Sequence, residues 1–325
     1  MRRRWPVIVI PLLVVGLTAC DIDWSDTFDS SDNDDNTADI EDTDIPGLDV
    51  AISDYQFDQT YQNLADRVDR QNYYRVVSVD LAAEAADTDE DIRPTRVILY
   101  DDANRITPII AADRRAGLDL PPAVLVYRDD DDNDNNDNVG VAYNSSDYLA
   151  ACYDVADAQD ALDALESDQE SLVADVAGND ISRQGRVDTL SEGQGLVDRT
   201  SDNDFDTTLD QLVEAIGDDN DLQLVAQIDH REAARQIGSM LDANDDPSTL
   251  VIFNAGRPQA RLIAGGQTVA VDLPVRMLVS QDTDGVVHIN YSQPRYLEDR
   301  HDLDTDNAAD DLRDTLRDLV DDAID

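Results

Sequence analysis

Three histidines, His230, His288 and His301, all fall in the last third of a 325-residue chain. Imidazole titrates near neutrality and is the side chain most used to move protons or bind metals. His230 follows Asp229 and His301 follows Arg300, so each has a charged neighbour able to orient it. This makes Asp229, His230 and His301 the candidates for acid/base work, and His230 and His301 the candidates for metal ligation. Against such chemistry, no two histidines keep a spacing such as H-x3-H, whereas a zinc site draws three or four convergent protein ligands. Capping and packing are the competing reading of the same residues. His288, in the stretch 286–290, reads as a strand side chain.

The run D-D-D-D-N-D-N-N-D-N over 129–138 offers carboxylate and amide oxygens of the kind calcium prefers. It lacks the glycine and the bidentate glutamate of an EF-hand loop, and reads instead as a solvated insertion in a hairpin whose counterpart is Asp282-Thr283-Asp284-Gly285. Gly265-Gly266 is no dinucleotide fingerprint. The sequence contains no P-loop, H-E-x-x-H, C-x-x-C or G-x-S-x-G, so the common nucleotide, zinc-protease and serine-hydrolase chemistries lack support and no cofactor is implied. Cys152, in the apolar stretch Tyr148-Leu149-Ala150-Ala151-Cys152, reads as a small buried hydrophobe.

All 24 cationic residues are arginine, and the 73 acidic ones comprise 64 Asp and 9 Glu, for a net charge of −49. Phosphate-backbone binding depends on cationic side chains displacing counterions, so nucleic acid and anionic headgroups are excluded as partners. The pervasive acidity and the absence of lysine resemble proteins of extreme halophiles. At ~1 M salt the Debye length is ~3 Å, which screens self-repulsion while the carboxylates keep the surface hydrated.

The start reads as a secretion signal: Arg2, Arg3 and Arg4, then an apolar stretch over 5–17 too short for a spanning helix of ~20 residues. Its end, Leu17-Thr18-Ala19-Cys20, resembles the lipobox of prokaryotic lipoproteins, which implies cleavage after residue 19 and lipidation of Cys20. The expected location is the cell envelope, on the periplasmic or extracellular face, with the membrane reached through the N-terminal lipid. Losing three arginines with the signal takes the net charge from −49 to −52. Residues 20–47 are too polar to fold and read as a tether; the 27 residues after Cys20 reach on the order of 30 Å.

Two similar halves follow. Residues 94–121 align without a gap on 247–274, both ending in Asp-Leu-Pro, and Phe57-Asp58 matches Phe205-Asp206. Each Phe-Asp pair opens a helix with one apolar face: Tyr61, Leu64, Ala65 and Val68 in the first, Leu209, Leu212, Val213 and Ile216 in the second. Asp58 and Asp206 are the expected N-caps. Four strands are expected late in each copy, at 95–101, 106–111, 121–128 and 139–143, and at 248–254, 259–264, 274–280 and 286–291. Each copy thus reads strand, helix, strand, short helix, four strands, helix. Grouped strands with few helices mean an α+β fold. The expected organisation is a first domain over 48–153, a helical linker over 154–194, a second domain over 195–303 and a C-terminal helix over 304–325.

The second half resembles the family called domain of unknown function 302. The resemblance rests on Ile228-Asp229-His230 before a short helix with Ala233 and Ala234, on Leu250-Val251-Ile252-Phe253-Asn254, on Asp272-Leu273-Pro274, and on Tyr291, Pro294 and Arg300-His301. The first half keeps Arg93-Pro94-Thr95, Asp119-Leu120-Pro121 and Tyr143. The resemblance implies tandem β-α-β4-α domains similar to TATA-binding-protein-like folds, and no activity. The first copy departs from the pattern at Leu81 in place of His230 and at Cys152-Tyr153 in place of Arg300-His301, so any ligand or metal site belongs to the second copy.

The combined reading is a lipid-anchored binding or assembly module whose copies form an internal pseudo-dimer, with a protein or small ligand as partner. The alternative is an enzyme or metal-dependent binder using Asp229, His230 and His301.

Overall fold

The computed structural model describes residues 44–70, 73–129, 138–241 and 246–324. The signal over 1–19, Cys20, the tether through 43 and the acidic run at 130–137 lie outside the described residues. The first repeat contains β1 (Leu48–Ile52), α1 (Phe57–Arg70), β2 (Tyr74–Asp80), α2 (Leu81–Glu84), β3 (Thr95–Asp101), α3 (Ala103–Ala112), β4 (Ala123–Asp129), β5 (Asn138–Asn144), α4 (Ser146–Cys152) and α5 (Gln159–Ala177). The second runs in the same order: β6 (Leu196–Ser201), α6 (Phe205–Asp218), β7 (Gln223–Asp229), α7 (His230–Gln236), β8 (Ser248–Asn254), α8 (Gly256–Gly265), β9 (Val275–Gln281), β10 (Val287–Ser292), α9 (Pro294–Arg300) and α10 (Ala308–Ile324).

Each repeat folds one antiparallel five-stranded sheet, ordered β1-β5-β4-β3-β2 and β6-β10-β9-β8-β7. The class is α+β, with two similar halves. Strand alternation divides the first sheet's side chains between two cores. Ile98, Tyr100, Val124, Val126 and Val141 pack on Leu64 and Val68 of α1 and on Leu172 and Val176 of α5. Val97, Leu99 and Leu125 point the other way, into a core continuous with Leu250, Ile252 and Met277 of the second repeat. Full burial of one such side chain contributes roughly 1.5–3 kcal/mol. The helix α5 crosses α1 as α10 crosses α6, so the helix between the halves is the counterpart of the last helix.

The halves meet reciprocally. The 3-10 turn Arg114–Leu118 packs on β8, β9 and β10, and the turn Gln267–Asp272 packs on β3, β4 and β5. Arg114 donates to the Pro247 carbonyl (3.3 Å) and its counterpart Gln267 donates to the Pro94 carbonyl (3.2 Å). When residue i of one half meets j of the other and the equivalents of j and i also meet, the contact is isologous.

Two expectations change. Segments 106–111 and 259–264 are helical, so each repeat has five strands rather than six. Ile106, Ile109 and Ile110 are spaced for one helix face, and Asp102 caps α3 by accepting from the Asn104 amide at 3.1 Å. Pro258 falls in the first turn of α8, where its missing N–H costs no helical bond. The cap of α6 is Asp204, which accepts from the Thr207 amide (2.9 Å), with Asp206 inside the first turn. Asp58 likewise lies in the first turn of α1 and takes Arg96 Nη1 at 2.8 Å.

Candidate functional site

Asp229 ends β7 and caps α7, its Oδ1 accepting from the Glu232 amide at 2.9 Å. The cap places His230 at the first helical position, 1% exposed and against the other repeat. His230 Nε2 lies 3.1 Å from the Leu120 carbonyl and Nδ1 lies 3.3 Å from Ser248 Oγ. A carbonyl only accepts, so Nε2 carries the proton and Nδ1 accepts from the serine hydroxyl. Burial pushes the imidazole down to about 4; it is neutral at pH 7. A side chain on Gly117 would collide with the ring at 2.9 Å, so the glycine admits the imidazole to the junction.

His301 lies just past α9, a helix opened by Pro294 at its first turn. It is 3% exposed, with Nε2 3.0 Å from Asp272 Oδ2 and Nδ1 3.1 Å from Thr268 Oγ1. Burial, with Arg300 beside it, holds its pKa below the ordinary value against the pull of Asp272. Neutral His301 therefore donates from Nε2 and accepts the threonine hydroxyl at Nδ1. The lone pair of each imidazole is already taken by a hydroxyl.

Asp272 also takes Arg300 Nη1 at 2.9 Å and Asn144 Nδ2 at 2.8 Å. Burial alone would raise its carboxyl, but Arg300 and then His301 hold it well below the usual carboxylate range. Arg300 continues across the junction, donating from Nε to the Pro46 carbonyl (2.9 Å) and from Nη2 to Asn144 Oδ1 (2.7 Å), with its guanidinium 4.1 Å over the Tyr148 ring. In the first repeat the equivalent acid, Asp119, accepts from Tyr153 Oη at 2.6 Å. Burial and the nearby Asp272 push Asp119 up. Between these acids lies a cavity of about 20 Å³, bordered also by Arg276 and Ser292, which has room for one water-sized occupant.

The three candidates thus do not form one constellation. Asp229 caps a helix, His230 and His301 share no hydrogen-bond partner, and His301 joins the Arg300–Asp272 cluster instead. Among the described residues, no three His, Cys, Asp or Glu side chains are placed to hold a metal ion. His288 sits on β10 between Asp198 (2.9 Å) and Asp282 (3.3 Å); burial opposes its charge, but Asp198 and Asp282 outweigh it and raise its pKa. Cys152 is buried, and burial pushes its thiol up to about 12.

Sequence reasoning missed a second polar cluster. Tyr143 Oη lies 3.0 Å from Glu166 Oε1 and 3.3 Å from Asp49 Oδ2, while Asp49 Oδ1 accepts from the Gly185 amide at 3.0 Å. The Tyr143 hydroxyl donates to both carboxylates, with the contact to Glu166 the shorter. Burial pushes the Asp49 carboxyl up to about 7, with Glu166 adding to the effect. The cluster borders an open cleft of about 420 Å³. The available signal was an acid at an inward position of the apolar strand Leu48-Asp49-Val50-Ala51-Ile52.

Fold and junction define a class: two antiparallel α+β repeats fused through a shared core and a buried arginine–carboxylate cluster. Residues 49–173 and 197–323 each match the domain of unknown function DUF302, and the chain belongs to that family. Among curated proteins it is 29% identical over 82 residues to fluoride-specific ion channel FluC 1 of Brucella suis biovar 1 (strain 1330), covering 25% of this chain and 31% of that protein. FluC 1 of Brucella abortus biovar 1 (strain 9-941) matches at the same identity over 29% of its length. The chain therefore spans about a third of the length of these relatives. Among the described residues no helix is long and apolar enough to cross a membrane. A solved structure, that of the uncharacterized conserved protein DUF302 from Bacillus stearothermophilus, is similar at 18% identity and a TM-score of 0.35, covering 40% of this chain and 98% of that one.

Proposed function

We propose that this chain is a lipid-anchored envelope protein whose two repeats act together as one acidic binding or assembly module, without catalysis of its own. The observation that carries the reading is the state of the two imidazoles. Each is buried and neutral, and each spends its one lone pair on a hydroxyl, Ser248 for His230 and Thr268 for His301. A metal ligand needs that lone pair free, and a general base, which can share a hydroxyl's proton as in a Ser-His-Asp triad, must still reach a substrate, whereas His230 is 1% and His301 3% exposed. The buried polar contacts of the junction then serve to lock the repeats together, and the surface is left to meet partners. Anchoring rests on Leu17-Thr18-Ala19-Cys20 behind a short apolar signal. Salt adaptation rests on 73 acidic residues without lysine. The fluoride-channel name belongs to the relatives, and ion conduction is no part of the reading.

Membrane fractionation of the Cys20→Ser variant tests the anchor: the variant is expected in the soluble exported fraction, and unchanged membrane association contradicts lipidation at this residue.

A further inference from the structure

The two repeats differ at one sheet edge. In the first, the outer edge of β1 is covered by the chain itself. Val50 donates its amide to the Arg183 carbonyl (2.9 Å), the Val50 carbonyl accepts from Ser182 (2.9 Å) and Arg183 (3.1 Å), and Gly47 donates to the Arg186 carbonyl (3.1 Å). The pairing of Val50 with Arg183 is antiparallel.

The second repeat offers the same edge. Leu48 faces Asn144 as Leu196 faces Ser292. Leu48 donates to the Ile45 carbonyl as Leu196 donates to that of Gly193, both at 3.1 Å. Gly47 and Gly195 share a left-handed φ, +71° and +73°, and their carbonyls accept from Ser145 and Gln293. By this register Gly195 corresponds to Gly47 and Asp198 to Val50. Yet among the described residues nothing bonds the Gly195 amide or the outward amide and carbonyl of Asp198. Exposure differs to match: the first four residues of β1 are buried, whereas β6 is half-buried or exposed until Ser201.

An open edge presents a fixed row of donors and acceptors that an added strand can satisfy. The occupant's chemistry follows from what covers the equivalent edge. The segment 182–186 carries Arg183 and Arg186, and Arg186 is held by Asp44. Glu192 stands at the position corresponding to Asp44, where it pairs with Arg115 at 2.9 Å; Asp198 and Asp321, paired with His288 and Arg199, and Asp202 lie on or beside β6 in a chain of net charge −49, so the edge is surrounded by more acid than base. We propose that the outer edge of β6 is a strand-addition site for an extended, arginine-bearing segment of another polypeptide, docked antiparallel as residues 182–186 dock on β1. This deepens the binding-module reading, and the two fail separately: catalysis at His301 would overturn that reading and leave this edge as it is.

The probe is a fluorescent heptapeptide with the sequence of residues 181–187, Ile-Ser-Arg-Gln-Gly-Arg-Val, titrated into the full-length protein in molar salt. Saturable binding is expected, with slowed amide exchange at Gly195 and Asp198 and none added at Val50. N-methylation of the probe at the first arginine should weaken binding at least tenfold without touching the protein. Asp198→Pro should do the same, because the outward amide is lost while no backbone bond to β10 is removed; Asp198→Ala, which equally loses the side-chain contact with His288 but keeps the amide, should still bind. Absence of saturable binding, or binding indifferent to N-methylation, overturns the proposal. So does protection of Gly195 and Asp198 before peptide is added, which would mean that this chain's own N-terminal segment or a second copy already fills the edge.

Discussion

Tyr153 occupies in the first repeat the place that His301 occupies in the second. The phenol donates to Asp119 Oδ2 at 2.6 Å, and the imidazole donates to Asp272 Oδ2 at 3.0 Å. Two side chains of unlike reactivity therefore do one job, satisfying the buried acid of an Asp-Leu-Pro turn. Hydrogen bonding and fit to the carboxylate are what the tyrosine and the histidine have in common at this position. The difference between the copies lies one residue earlier, where Arg300 bridges the halves and Cys152 does not.

Replacing Arg300 with Met leaves Asp272 buried without its charge partner and cuts the links to Pro46 and Asn144. Breaking a buried pair from one side costs about 3–5 kcal/mol. Calorimetry of R300M should show that loss and a split transition, as the repeats cease to unfold together. A single transition with less than about 1 kcal/mol lost would contradict the clamp.

The pH response contains two opposing slopes. Asp49 is raised from 3.8 to about 7 on folding, so the folded state binds the extra proton between those values and stability falls as pH rises from about 4 to 7. Asp101, whose buried Oδ1 has no hydrogen-bond partner among the described residues and whose carboxyl burial also lifts to about 7, acts in the same direction. Asp49→Asn removes one of these contributions and keeps an amide oxygen to accept from Tyr143. The variant should gain on the order of 2 kcal/mol at pH 8 and nothing at pH 4. Urea midpoints at the two pH values check it.

His230 works the other way. Its pKa drops from 6.5 to about 4 on folding, so its contribution is complete above pH 6.5 and is lost as pH falls toward 4. His230→Leu, which copies Leu81 of the first repeat, should abolish that acid-side loss, worth about 2–3 kcal/mol at most. Unfolding midpoints that keep their wild-type acid dependence in H230L would show that the ring is not the titrating group.

With a net charge of −49, self-repulsion grows as the Debye length lengthens from ~3 Å at 1 M to ~30 Å at 0.01 M salt. Tm should rise by several degrees or more over that range; a Tm independent of salt would argue against an acidic surface tuned to brine.

Local and repeated features were legible in the sequence. The helices at 57–70 and 205–218 announced themselves through apolar residues three and four apart, and the paired Asp-Leu-Pro turns revealed the duplication. Segments 106–111 and 259–264 misled because a short apolar run fits either period, and here Ile106, Ile109 and Ile110 follow the helical one. Nothing near Arg300 in sequence reveals Pro46, Asn144 or Tyr148 as its partners, since they lie more than 150 residues away and only the packing of the repeats brings them close. A separation of 110 residues hides Leu120 from His230 in the same way.

The central claim, that the histidines are parts of the junction and not of a reactive site, is tested most directly by equilibrium unfolding of His301→Ala in guanidinium at neutral pH and molar salt. Removing the ring opens a cavity and strips Asp272 and Thr268 of a partner, so the loss should be about 2–4 kcal/mol with an unchanged slope. An unaltered midpoint would contradict the account and return His301 to the catalytic candidates.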